Sequence, residues 1–425
     1  MPHWKFVHPT AHSHTHGVFG LPVVNRPEDL LRCTRCLLPE THETIIFDDD
    51  GVCNVCLNQD AKNAIDWKSK RAEFEMIVEE YRGKYDYDCI VPFSGGKDST
   101  FTLWALVKEF GLKPLVVSFD HGFMRPGVIE NRNRTFRILG VDHINFKPDW
   151  RIVQLVMRES LQRKGDFCWH CHTGIFAYPM HIALKFNVPL VIWGEPSAEY
   201  TAYYSYDEPE EVDERRFNRF INIGINAEDM LGMLHDRPEG KWVTKRDLLP
   251  FTYPDSRELR KIRMRSICLG SYVPWDVRRQ TELIERELEW KGDVVEGVAP
   301  GYEYEKIECS VQGIRDYLKF SKRGFGRTTH LANIDIRNNR LDRETGLEMA
   351  LENDGKRPAS LDRFLDYVGI DEEEFNQIAE SQAVAPYKHN WDTARKGEPL
   401  PDEAEFDRSA PFPKTPLHNQ PTESE

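Results

Sequence analysis

The 425-residue chain has no uninterrupted apolar run long enough to cross a bilayer and no leader pattern at its start, so a reducing, cytoplasmic setting is expected. It has no excess of positive charge either. Acidic residues number 70 against 56 basic ones, and the resulting formal charge of −14 argues against an extended nucleic-acid footprint and favours a small-molecule substrate. Internal repeats are absent. Cysteine is limited to nine residues, and a chain of this length builds a sizeable core without disulfides, so cysteine pairs read as metal or redox sites. Two catalytic signatures are also missing. No Gly-Lys-Ser/Thr follows four residues after a first glycine, which rules out a Walker A loop. Neither an N-terminal cysteine nucleophile nor a Gly-x-Cys-x-Gly elbow is present, so the chain carries no glutaminase signature.

What is present centres on Ser94 to Thr100, reading Ser-Gly-Gly-Lys-Asp-Ser-Thr, between an apolar run (Asp88 to Phe93) and a helix-patterned stretch from Phe101. A strand, a glycine turn and a helix in succession aim backbone N–H groups and a helix N-terminus at one point, as a phosphate requires. Gly95 and Gly96 supply conformational freedom, and Ser94, Ser99 and Thr100 supply hydroxyls.

Apolar runs at Cys89 to Phe93, Leu115 to Phe119, His143 to Phe146 and Leu190 to Trp193 alternate with amphipathic segments around 102–110, 128–139, 152–162 and 175–186. This predicts an α/β fold with a parallel sheet covered on both faces. The run Ser266 to Val273, followed by helical spacing over Asp276 to Trp290, adds a last strand and helix. Around this core the sequence divides into a flexible His-rich tail (1–30), a zinc ribbon (31–60) and a helical linker (61–87). The nucleotide domain follows (88–300), with an acidic insertion at about 203–255, then a helical C-terminal subdomain (301–385) and a proline-rich, acidic tail (386–425) read as disordered.

Cys33, Cys36, Cys53 and Cys56 form C-x2-C-x16-C-x2-C, a four-thiolate spacing for structural Zn²⁺, with Thr44 to Phe47 as a strand between the knuckles. Cys168 and Cys171 form a lone C-x2-C within Cys-Trp-His-Cys-His. A metal or cluster there, with Cys268 as a conceivable third ligand, competes with a substrate-pocket or packing role for Cys168, His170 and Cys171.

Ligands of an open α/β sheet gather at the carboxyl ends of its strands, where Ser118, Asp120, Gly194 and Glu195 stand. Asp98, with Asp120 or Glu195, is the candidate carboxylate set for Mg²⁺ on bound phosphates. Ser94, Lys97, Asp98 and Ser99 are the candidate catalytic residues. Ser94, Gly95, Gly96, Asp98, Ser99, Thr100, Ser118, Asp120, Gly194 and Glu195 are the candidate nucleotide contacts. Two basic stretches remain: Arg125, Arg132, Arg134 and Arg137, read equally as a solvated helix face or an anion-binding set, and Lys319, Lys322, Arg323 and Arg327. In the second, Arg323 and Arg327 are the candidate contacts for a diphosphate or carboxylate on the substrate, or for an acidic partner.

The loop resembles the pyrophosphate (PP) loop of ATP pyrophosphatases, which cleave ATP to AMP and pyrophosphate to activate a carbonyl-type oxygen. Six blocks stand in order: Cys-Thr-Arg-Cys-Leu-Leu-Pro, Gly-Val-Cys-Asn-Val-Cys, the loop itself, Cys-Trp-His-Cys-His-Thr-Gly-Ile-Phe, Trp-Gly-Glu-Pro-Ser-Ala-Glu-Tyr and Lys-Arg-Gly-Phe-Gly-Arg. Over residues 30–385 this resembles the N-acetyl sugar amidotransferase family. The resemblance implies a PP-loop (adenine nucleotide alpha hydrolase-like) sheet with a zinc ribbon and a helical C-terminal subdomain. It implies an AMP-forming conversion of an acetamido to an acetamidino group, on a nucleotide-activated or nonulosonic sugar of surface polysaccharide such as LPS O-antigen. It also implies ammonia delivered by partners resembling the glutaminase (HisH-like) and cyclase (HisF-like) subunits of imidazole glycerol phosphate synthase, docked on the ribbon or the helical subdomain. A sulfur-transfer enzyme of the same superfamily, carrying an iron–sulfur cluster, is the alternative.

Overall fold

The computed structural model of the chain describes residues 23–199, 206 and 211–397. The histidines of the N-terminal tail, part of the acidic insertion and the C-terminal segment from 398 lie outside the described residues.

Five short runs pair in parallel, with Val, Ile and Leu concentrated in the three central strands: β1 (Cys89–Pro92), β2 (Pro114–Phe119), β3 (Asp142–Phe146), β4 (Leu190–Trp193) and β5 (Arg265–Cys268), in the order β3-β2-β1-β4-β5. The order reverses beside β1. The registers Ile90↔Leu115 and Ile90↔Val191 put β2 and β4 on its two sides, so β1 and β4 bound the switch point where an open α/β sheet holds its ligand. Alternation along each strand feeds two cores. Val91, Val116, Ile192 and Ile267 face one, while Ile90, Leu115, Val117 and Val191 face the other.

On the first face lie α3 (Lys97–Trp104), α4 (Pro126–Leu139) and α8 (Val277–Leu288). The second face carries α6 (Trp169–Phe186), and α5 (Trp150–Lys164) packs beside it. Before the sheet come α1 (Asn54–Asn63) and α2 (Trp67–Glu79), and α7 (Ala227–His235) lies in the insertion. Sequence alone extended the last strand to Val273. The strand ends at Cys268 because Gly270, in a 3-10 turn, is pressed against Pro196 and Trp275, where a side chain would not fit. In the ribbon the described residues form isolated bridges, Arg32↔Pro39 and Phe47↔Cys53, in place of the strand read at Thr44 to Phe47.

The C-terminal region folds as α9 (Gln312–Arg323), α10 (Arg327–Arg337), α11 (Arg343–Asn353), α12 (Leu361–Val368) and α13 (Glu372–Ser381). Its apolar side is shared with the sheet domain: Ile314, Leu318, Phe364 and Phe375 form one cluster with Val153, Met157, Leu161 and Phe167. Both tail boundaries move outward. Val24 bridges Tyr387, whose ring is buried beside Gly324, and Leu30 is also buried, so 23–30 and 386–397 belong to the packed body.

Candidate active site

The Ser94 to Thr100 loop is organised by a hydroxyl before any ligand arrives. Ser99 Oγ accepts the Ser94 and Gly95 N–H groups, each at 3.2 Å, and donates to Gly96 O at 3.2 Å. Gly95 has φ +93°, and a Cβ there would meet Val128 Cγ1 at 2.6 Å, so both backbone and space require glycine. Trp290 Nε1 holds Gly95 O at 3.1 Å. The four-residue turn is therefore fixed from two sides, and α3 starts directly from it.

Lys97 is buried and does not reach into solvent. Its amine bonds Asp98 Oδ2 at 2.9 Å and Glu305 Oε2 at 2.7 Å, and Arg327 meets Glu305 Oε1 at 3.4 Å. Burial opposes the Lys97 charge, but Asp98 and Glu305 outweigh it and hold its pKa well above the ordinary value. Glu305 shows the converse: burial would raise it, yet Lys97, Lys306 and Arg327 hold it at about 2.

A cavity of about 290 Å³ opens beside the loop. Ser94, Asp98 and Ser99 line it from β1 and α3, Ser118 and His121 from the end of β2, and Gly194 and Glu195 from the end of β4. Asp98 Oδ1, Glu195 Oε1 and Ser118 Oγ are buried without a hydrogen-bond partner among the described residues. Burial first, then the neighbouring Asp98 charge, pushes the Glu195 carboxyl well above the usual range. Two orphaned carboxylate oxygens on one cavity next to a phosphate nest fit Mg²⁺, which takes one or two carboxylates and leaves its other positions to phosphate and water. Asp120 does not join them; it pairs with Lys147 at 3.5 Å and caps the turn at Gly122 N. Thr100 is fully buried in α3, and Gly194 lets β4 approach that helix, since a Cβ there would stand 2.5 Å from Thr102 Oγ1.

The far wall comes from residues that motif reading missed. Lys306, Glu308, Cys309, Gln312 and Arg315 line it, together with Cys171 and His172. Lys306 carries φ +51° and lies within electrostatic reach of Glu195 and Glu305 without a side-chain hydrogen bond. Arg315 meets Asp166 at 3.5 Å and keeps its Nε buried and unpartnered. No local pattern marks these positions. They enter the site because Ser310 N bonds Phe123 O at 2.9 Å and Met124 bridges Cys309, folding the start of the C-terminal region over the loop after β2.

Cys309, not Cys268, is therefore the third thiol near the Cys168–Cys171 pair. Cys268 sits at the end of β5 with its sulfur 4.0 Å from Arg216. Burial raises the Cys168 and Cys171 thiols, and pushes Cys309 up to about 12, so without a metal they are protonated at neutral pH. His170 is buried with Nε2 3.3 Å from His121 O, away from the cavity lining. Arg323 and Arg327 are not available to a substrate as the sequence reading expected. With Lys319, Arg323 faces Glu43 of the ribbon at 3.4 Å, and Arg327 is consumed by Asp316 at 2.9 Å and by Glu305. The first basic stretch is likewise engaged in part, Arg125 being paired with Asp293 at 2.8 Å.

The four ribbon cysteines converge as their spacing predicted. Their sulfurs all lie within 4.8 Å of one another, with Cys33–Cys56 at 3.9 Å and Cys36–Cys53 at 3.7 Å. A tetrahedral site with Zn–S near 2.3 Å has edges of about 3.8 Å, so the buried donor set fits such an ion. Cys36 N and Cys53 N donate to Cys33 Sγ, and Arg343 of α11 holds the Cys33 and Cys36 carbonyls. This is a closed metal-binding cluster, remote from the cavity lining.

A parallel sheet with this strand order and a Ser-Gly-Gly-Lys-Asp-Ser turn at its switch point defines a PP-loop protein. Residues 297–397 match the family model of the C-terminal domain of WbpG-like LPS biosynthesis proteins. The match covers the C-terminal region only, and beside the loop-bearing sheet it makes the chain similar to WbpG-like proteins. The uncharacterized protein MJ1599 of Methanocaldococcus jannaschii is 26% identical over 168 residues; the match spans 39% of this chain and 58% of that protein. Among solved structures, the chain is similar to the U34-tRNA thiolase NcsA of Methanococcus maripaludis with its [4Fe-4S] cluster, at 13% identity and a TM-score of 0.27, covering 75% of this chain and 88% of that one. No helix among the described residues is long and apolar enough to cross a membrane.

Proposed function

We propose that the chain is an AMP-forming amidotransferase that converts an acetamido group of a sugar to an acetamidino group in the assembly of a surface polysaccharide such as O-antigen. The observation that carries the reading is the pair of orphaned carboxylate oxygens, Asp98 Oδ1 and Glu195 Oε1, on the cavity beside the hydroxyl-braced glycine loop. Such a site suits a nucleotide triphosphate with Mg²⁺, which when bound neutralises phosphate charge. The loop N–H groups, Ser94 and Ser99 would hold the leaving pyrophosphate, and Ser118 with the β2 end would face the adenosine. An amide oxygen attacks the α-phosphorus and pyrophosphate departs. Ammonia then adds to the carbon of the adenylylated imidate, the C–O bond breaks, AMP leaves with the oxygen, and loss of a proton yields the amidine. Lys306, Gln312 and Arg315 are the groups placed to meet an acidic substituent of the acceptor, a role that Arg323 and Arg327 are not free to take.

Zinc is our assignment for the ribbon cluster, and the cytoplasm our assignment for the protein, where ATP and reduced thiols coexist. Partner subunits of the glutaminase and cyclase type would supply ammonia. The test is incubation of the chain with ATP, Mg²⁺, ammonium and diacetamido sugars bearing UDP or CMP. AMP release together with replacement of one amide oxygen by NH, read by mass spectrometry, is expected with ammonium and not with glutamine alone. No AMP with any acceptor sinks the proposal.

Cys171 and Cys309 on the cavity, with Cys168 adjacent, favour one second reading: sulfur transfer by a protein carrying an iron–sulfur cluster. Anaerobic purification separates the two. A brown protein with stoichiometric iron and sulfide selects sulfur transfer, and a colourless one that retains zinc selects amidation.

A further inference from the structure

The loop's anion site holds an anion of the protein's own. Ser94 Oγ lies 3.3 Å from Glu308 Oε1, and a side chain on Gly96 would collide with that same carboxylate. Ser94 has a single hydroxyl proton, and Gly96 is the turn residue whose backbone a phosphate must approach. Three positions earlier, Glu305 takes the loop lysine. Two acids from one short segment thus engage the Ser-Gly-Gly-Lys turn where phosphate oxygens would lie. The segment is tethered at both ends. Glu305 is held by Lys97 and Arg327, while Ser310 N and Oγ both bond Phe123 O, at 2.9 and 3.1 Å. Between the tethers, Lys306 sits at φ +51°, a left-handed conformation that a lysine keeps only when its surroundings impose it. The cavity volume of about 290 Å³ lies just under the usual range for ligand pockets, about 300–1,000 Å³.

We propose that Glu308 is a built-in competitor for pyrophosphate: its carboxylate occupies the loop in the nucleotide-free protein, and ATP binds only by displacing it. Nucleotide affinity is then set by the C-terminal region as well as by the loop. Displacement moves the segment that also carries Lys306 and Cys309, so filling the loop reshapes the wall facing the acceptor. After turnover the carboxylate can return to the loop and oppose rebinding of pyrophosphate. The proposal rests on the reading of the loop as a pyrophosphate site.

The test is titration calorimetry of the full chain with inorganic pyrophosphate and with α,β-methylene ATP, each in EDTA and in Mg²⁺. Wild type is compared with Glu308→Gln, Glu308→Ala and, as a control on the same segment, the exposed Glu303→Gln. Removing a competitor that fills the site nine-tenths of the time raises apparent affinity about tenfold, so both Glu308 variants should bind pyrophosphate about tenfold more tightly in EDTA, with the control unchanged. Equal or weaker binding by both variants, when wild type binds pyrophosphate, overturns the competitor and leaves the loop reading intact. A loss of affinity confined to Mg²⁺ also overturns it and makes Glu308 a metal ligand instead. Absence of pyrophosphate and ATP-analogue binding in every protein removes the loop reading and this proposal with it.

Discussion

At the scale of single residues, the site is a set of charges whose roles burial decides. Asp98 divides its carboxylate between Lys97 and an empty-handed Oδ1, so Asp98→Asn should keep the fold and lose the metal-facing charge. We expect AMP formation to fall by about 10²-fold or more, the scale on which a charge-stabilising group in an active site matters. Measurement of pyrophosphate release against Mg²⁺ concentration checks it. Lys97 should behave differently, because Lys97→Ala takes the nearer cation from buried Glu305 and leaves it only the longer Arg327 contact, at a cost of up to about 3–5 kcal/mol. Reduced thermal stability alongside lost activity is the expected signature, and Lys97→Ala with unchanged Tm would contradict the buried pair. The same pair gives a pH dependence. Glu305 falls from an ordinary 4.5 to about 2 on folding, so its stabilising contribution is complete above pH 4.5 and is lost as pH falls toward 2. In Glu305→Gln that acid-side loss should be shallower in equilibrium unfolding curves.

Elements show where a pattern is legible and where it is not. The glycine turn was readable because φ +93° at Gly95 admits almost no other residue and because a strand and a helix flank it. Gly95→Ala should therefore combine left-handed strain with the Val128 clash and abolish pyrophosphate binding. Calorimetry detects this, and preserved binding would mean the nest is not the anion site. The ribbon was equally readable, since two knuckles of fixed spacing need only close on themselves. Its docking was not. Thr41, His42 and Glu43 pack on Arg323, Phe325 and Lys319, contacts nearly 300 residues apart that no local rule predicts. Stripping the metal should release this contact. We expect a chelator to increase proteolysis between residues 31 and 60 and to lower Tm, with zinc restoring both. The basic block at Lys319 to Arg327 was misread for the same reason: charge density is visible in sequence, but of the acids that neutralise it only Asp316 is local, while Glu305 precedes the helix and Glu43 comes from the ribbon.

For the whole molecule, the decisive fact is that the C-terminal region is not a detachable lobe. Its helices share a core with α5, and the strand of chain before α9 forms a wall of the cavity. A chain ending at residue 296 would expose Val153, Met157, Leu161 and Phe167 to water. It should be insoluble or molten, and a cooperative unfolding transition in that truncation would refute the shared core. Phe364→Ala, deep in the same cluster, should cost about 3–5 kcal/mol as a large-to-small core substitution, measurable by denaturant unfolding of the intact chain.

Local chemistry determined what the sequence alone could carry. Alternating strand and helix periods, a turn that only glycine fits and paired thiols at knuckle spacing are each specified within a few dozen residues, so sheet, loop and metal cluster were legible. The tertiary structure decided the rest. Glu195 rather than Asp120 joins Asp98, Cys309 rather than Cys268 stands near Cys171, Lys306 and Arg315 rather than Arg323 and Arg327 face the cavity, and Glu308 lies on the loop. These are pairings across 100 to 200 residues of chain. They follow from which surfaces the folded helices bury together, and that is a property of the packed molecule that no sequence window contains.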